Sequence, residues 1–181
     1  MNAYETLGIE PQLVIDAETL RDAFREAGRS AHPDAGGDEH AFAVLNAAFE
    51  MLTSPSRRLR HWLELHGLTI EARGSMAPEI MDLFSQVGEV SQRAEALVRR
   101  RDEAKSALVR ALLERETQAC REDIERTIAI VESAIERECA VFPGYQNSAA
   151  IDLPAASASV RNLAFLEKWR AGLRGLFARL V

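Results

Sequence analysis

The chain has 181 residues, 47% of them hydrophobic and 28% charged, with a net charge of −6, the profile of a globular chain with room for one large domain or two small ones. The acidic balance excludes bulk charge as a reason to expect nucleic acid, and no apolar run approaches the roughly 18 residues of a membrane span. Two cysteines, Cys120 and Cys139, make neither a disulfide framework nor a four-thiolate zinc site by themselves, so no metal or cofactor is expected. Strand-like alternation is almost absent, and apolar residues recur at spacings of three and four between breaker clusters. A short turn near Tyr4 and Leu7 comes first. Asp16, a good N-cap with Glu18 in the first turn, then opens a helix lined by Leu20, Ala23, Phe24, Ala27 and Ala31. After Asp38, Phe42, Leu45, Phe49 and Leu52 repeat the pattern. Ser54 and Pro55 start a third, shorter helix with Leu59, Trp62, Leu63 and Leu65, and Gly67 stands at its end. These elements predict a helical domain over 1–67, followed by a linker over 68–77. Over 78–181 the pattern predicts a three-helix bundle, with helices at 78–101, 103–138 and 158–180 and a connection over 141–157 that bears no site.

Charge is uneven along the chain. Residues 1–70 hold 11 acids and 6 bases, whereas 71–181 hold 17 and 16, and 20 of the 22 bases are arginine. On the helix after Asp16, Arg21, Arg25 and Arg29 stand four apart, a possible docking stripe. Glu18, Asp22 and Glu26 each precede one of them by three residues, which also fits a solvated face with intrahelical pairs. The tripeptide His32-Pro33-Asp34 must end that helix, because proline disfavours α-conformation at the residue before it. Alone, it reads equally as a helix stop with a turn aspartate.

In order, Tyr4-Glu5-Thr6-Leu7-Gly8-Ile9, His32-Pro33-Asp34, Leu45-Asn46-Ala47-Ala48-Phe49-Glu50-Met51-Leu52 and Ser54-Pro55-Ser56-Arg57-Arg58 resemble a J domain over residues 2–66. J domains belong to co-chaperones that stimulate ATP hydrolysis by DnaK-class chaperones. The resemblance implies that His32, Pro33, Asp34 and the stripe Arg21, Arg25, Arg29 bind that chaperone, and that no chemistry occurs on this chain. Ser30 and Ala31 stand where most members have a base and an aromatic residue.

Beyond residue 61, Trp62-Leu63-Glu64-Leu65-His66-Gly67, Met76-Ala77-Pro78-Glu79-Ile80-Met81-Asp82 and Val160-Arg161-Asn162-Leu163-Ala164-Phe165-Leu166-Glu167-Lys168 look like the HscB-type co-chaperone of iron–sulfur cluster assembly. That family joins a J domain to a three-helix domain that binds the cluster scaffold protein. The resemblance implies scaffold contacts at Ile80, Met81, Asp82, Phe84 and Phe165; Ser85 and Gly88 replace two acidic positions of the family's patch, with Glu89 adjacent. From the residues alone, positions 80, 81, 84 and 87 form one helical face that suits a core as well as a partner. Phe165 lies off the Leu163–Leu166–Leu173 stripe, on a second face with Trp169 and Leu176. Cys120 reads as a buried, inert thiol, and His61 and His66, five apart, do not share a face for a metal. The expectation is therefore an all-α, cytoplasmic adaptor and ATPase activator rather than an enzyme. A J-domain protein with another client, or a J-like module without ATPase stimulation, remains open.

Overall fold

A computed structural model describes residues 2–31, 39–71, 74 and 76–181, excepting the side chains of Ser30, Ala31 and Glu39. Its regular structure is α-helical, with no strand among the described residues. The eight helices among the described residues are α1 (Ala3–Leu7), α2 (Ala17–Ala31), α3 (Glu39–Thr53), α4 (Pro55–Leu65), α5 (Pro78–Glu103), α6 (Ala107–Cys139), α7 (Phe142–Asn147) and α8 (Leu153–Leu180). They form two compact units, one of Met1–Gly74 with Glu138–Ala164, the other of Ser75–Arg137 with Phe165–Val181.

The boundaries of the first unit follow from capping. Asn2 Oδ1 accepts from the Tyr4 amide, and Gly8 closes α1 at φ 66°, where a side chain would be strained. Asp16 Oδ1 accepts from the amides of Glu18 and Thr19 at 2.9 and 2.8 Å, which satisfies donors that α2 leaves open. Ser54 Oγ accepts from the Arg57 amide, with Pro55 in the first turn of α4. The apolar stripes then meet. Leu20, Leu45, Leu52, Leu59 and Leu63 are buried, and the rings of Phe24 on α2 and Phe49 on α3 lie 4.6 Å apart.

The connection expected over 141–157 is largely helical instead, and it belongs to the first unit. Phe142 is buried with the Arg58 guanidinium 5.9 Å over its ring, and Gln146 Oε1 accepts from the Leu13 amide at 2.8 Å. Ser157 Oγ accepts from the Glu71 amide, and Arg161 donates to the Glu71 carbonyl at 3.0 Å. α8 begins five residues before the expected start because Asp152 caps it, Oδ1 accepting from the Ala155 amide, while Pro154 suits the first turn. The compact units therefore do not divide at the expected 67/78 boundary: a segment from the second half of the chain completes the first unit.

The second unit is a three-helix bundle. Going from Arg93 to Arg100 on α5, the partner on α6 moves back from Asp123 to Glu116, so these helices run antiparallel. On α8 the order matches α5: Phe84 meets Trp169 and Arg101 meets the Leu180 carbonyl, so the two run parallel. Leu83, Val87, Val90 and Leu97 of α5, Leu113, Cys120, Ile124 and Val131 of α6, and Leu166 and Leu173 of α8 are buried.

Candidate functional site

α2 presents Arg21, Arg25 and Arg29 to solvent. At 3.6 residues per turn they climb about 12 Å along one side of the helix. Two of the expected intrahelical pairs form, Arg25–Asp22 at 2.6 Å and Arg29–Glu26 at 2.8 Å, all four side chains more than 60% exposed. Such exposed pairs are worth only about 0.3–0.5 kcal/mol, so they hold the guanidiniums only weakly. Among the described residues Arg21 has no ion pair; it borders a pocket of 270 Å³ with Leu20, Phe49 and Arg58. His32, Pro33 and Asp34 lie outside the described residues.

On the second unit the expected contacts separate into two groups. Ile80 is only 5% exposed: its turn of α5 points it inward with Leu83, and it offers no side chain to a partner. It is core, a correction to its expected place on the surface. Met81, Asp82 and Phe84 are exposed, as is Phe165 on α8. Trp169 joins them. Its ring centroid lies 5.8 Å from Phe84 and 6.0 Å from Phe165, tilted by 40° and 32°. These are favourable offset aromatic contacts, so one half-buried indole braces two exposed phenyl rings across α5 and α8. Its signal in the sequence was the four-residue step from Phe165 on the second apolar face. Ser85 turns its hydroxyl back to the Met81 carbonyl, 3.5 Å away, so it adds no charge to the patch, and Asp82 and Glu89 are exposed carboxylates on the same helix.

The remaining polar candidates are held in structural contacts. His61 is buried beside Tyr4, its ring stacked at 5.7 Å, and its Nε2 accepts from the Ala3 amide at 3.1 Å. Burial lowers its pKa from the ordinary value, which favours the neutral ring that this bond needs. The His66 ring packs 4.0 Å from Trp62, and its Nδ1 lies 2.8 Å from the Trp62 carbonyl. Cys120 is buried, and desolvation raises its pKa, which keeps the thiol protonated and unreactive. Among the described residues no three His, Cys, Asp or Glu side chains cluster as metal ligands. No helix of the described residues is long and apolar enough to cross a membrane.

The DnaJ domain family matches residues 2–61, which span α1 to α3 and most of α4. The chain carries a J domain. Its relatives extend the likeness. The co-chaperone protein HscB homolog of Shewanella pealeana is 30% identical over 96 residues, 48% of this chain and 55% of that protein. The homolog of Vibrio vulnificus is 31% identical over 96 residues, 48% of this chain and 56% of the relative. The chain thus spans about half the length of these curated relatives. Among solved structures, the chaperone HscB from Vibrio cholerae superposes with a TM-score of 0.61 at 22% identity, covering 100% of both chains. At that identity the superposition speaks to fold alone, an all-helical one. The chain is a J-domain protein with HscB co-chaperone homologues.

Proposed function

We propose that this protein is a co-chaperone of iron–sulfur cluster assembly. It stimulates ATP hydrolysis by a DnaK-class chaperone and delivers the cluster scaffold protein to it. His32, Pro33 and Asp34 with Arg21, Arg25 and Arg29 engage the chaperone. Met81, Asp82, Phe84 and Phe165, now with Trp169 and without Ile80, engage the scaffold. ATP is hydrolysed on the chaperone, so the chain acts as activator and adaptor rather than as an enzyme, in the cytoplasm. The observation that carries the reading is the Phe84–Trp169–Phe165 cluster, with both phenyl rings exposed, in a chain that carries a J domain. Large aromatic rings held half in solvent by a third ring are the anchors that partner surfaces select.

Two surfaces predict two separable losses. His32→Gln abolishes ATPase stimulation and leaves scaffold binding intact, whereas Phe84→Ala with Phe165→Ala does the reverse. Unaltered scaffold binding by the double variant rejects the site assignment. The replacement of two family carboxylates by Ser85 and Gly88 favours a second reading, in which the J domain works as proposed but the aromatic patch holds a different client. ATPase stimulation without measurable affinity for a cluster scaffold selects that reading.

A further inference from the structure

The outward side of α6 carries a second surface, on residues that neither docking surface uses. Successive residues turn by 100°, which places Leu108, Leu112, Arg115, Arg126, Ile130 and Arg137 within an arc of about 60°. The arc lies away from buried Leu113, Ile124 and Val131. Leu108 is 70% exposed, Leu112 71% and Ile130 41%, and the three arginines are exposed as well. The pattern repeats. Leu108 and Ile130 are separated by two steps of eleven residues with Ala119 between them, and Arg115, Arg126 and Arg137 are also eleven apart. Eleven residues make three turns of an α-helix with little angular drift, so the stripe keeps its direction for about 43 Å.

Its charge opposes that of the chain. The protein carries 28 acids against 22 bases, yet the arc itself holds three arginines and no acid, with Glu122 and Asp123 each about 20° outside it on its two borders. Glu122 accepts from Gln118 at 2.9 Å; Arg126 pairs with Asp123; Arg115 and Arg137 have no ion pair among the described residues. Beside Arg126 and Ile130 the surface sinks into a groove of 340 Å³ between α5 and α6, lined also by Val90, Arg93, Glu89 and Asp123. Singly scattered exposed aliphatics are ordinary, but here Leu108 and Leu112 at one end and Ile130 beside the groove at the other share one line with the arginines, which makes one extended face.

We propose that this stripe docks an acidic amphipathic helix of a partner protein. Such a helix lays apolar residues over Leu108, Leu112 and Ile130 and sets carboxylates against Arg115, Arg126 and Arg137. An anionic membrane is disfavoured by the net charge of −6 and by a stripe with three large aliphatic side chains. A second copy of the chain would bring six arginines together.

The probe is a fluorescein-labelled 22-residue helical peptide with leucines on one face and glutamates at eleven-residue spacing beside them, titrated into the full chain. A second peptide replaces each glutamate by lysine. Fluorescence anisotropy is expected to give a Kd of about 10 micromolar or tighter for the acidic peptide, at least tenfold tighter than for the lysine peptide. Leu108→Ser with Leu112→Ser, and separately Arg115→Glu with Arg126→Glu and Arg137→Glu, each weaken the acidic peptide tenfold or more. These side chains are exposed, so circular dichroism melts of both variants stay within a few degrees of the parent. Equal affinity for both peptides, or unchanged binding by the arginine variant, overturns the proposal. So does binding of the parent to phosphatidylglycerol vesicles in preference to the peptide, or a sedimenting dimer that Leu108→Ser dissociates.

Discussion

Replacing Phe84 and Phe165 together by alanine removes the two exposed rings of the cluster and leaves Trp169 in place. A phenylalanine buries roughly 150–250 Å² when fully covered. With 51% of Phe84 and 38% of Phe165 open to solvent, a partner can cover roughly 100 and 75 Å² of them. At about 25 cal/mol per Å² this corresponds to about 2.5 and 2 kcal/mol. Both rings lean on the same indole, so the losses are not independent, and the double variant should lose about 3–4 kcal/mol of scaffold affinity, roughly 150- to 1000-fold in Kd. Isothermal titration of the variant with the scaffold protein reads this directly. The covered share of each ring also contributes to the bundle, so a lower thermal midpoint accompanies the loss, and titrations belong well below it. A Kd within threefold of the parent's, in a folded variant, would refute the reasoning.

Two further outcomes concern the J domain's base. Burial lowers the folded-state pKa of His61, so the unfolded chain binds the proton more readily. The His61 contribution is therefore present above the ordinary pKa near 6.5, is lost as pH falls through the lower folded value, and makes chemical denaturation midpoints drop on acidification; His61→Gln, which keeps an acceptor, flattens that dependence. Burial also raises the Tyr4 pKa to about 12, while its hydroxyl donates to the Gln12 carbonyl at 2.9 Å. Stability should hold below the ordinary value of 10.0 and fall as pH rises toward 12, and Tyr4→Phe should lose about 1 kcal/mol at neutral pH and that alkaline slope. An alkaline denaturation series identical for parent and variant contradicts this.

The sequence made the local parts of this fold legible and the distant ones not. Asp16 and Ser54 announce helix starts because a cap acts on amides two or three residues away, and both do so here. The stripe through Leu113, Cys120, Ile124 and Val131 is buried as its spacing requires. Val141–Ser157 reads as a connection because its Pro, Gly, Ser and Asn residues resemble breakers, yet Asp152 followed by Pro154 is a helix start of the same kind as Ser54–Pro55. Nothing local states that Gln146 will meet Leu13 or that Phe142 will lie under Arg58; those contacts join residues more than 80 positions apart. The site divides in the same way. Phe165 stood out because it lay off the main stripe, whereas Ile80 and Met81 are neighbours whose inward and outward directions depend on how α5 is rotated in the bundle. Trp169 was visible on the second face of α8, but only the fold brings it against Phe84 from another helix.

The central claim is that the J domain of this chain activates a DnaK-class ATPase. Steady-state ATP hydrolysis by such a chaperone, measured with the scaffold protein present and increasing amounts of this protein, tests it most directly. The parent should raise the rate saturably, and His32→Gln should leave the rate at its basal level while still binding scaffold. A parent protein that leaves the rate unchanged, or a His32→Gln variant that stimulates as well as the parent, would contradict the account.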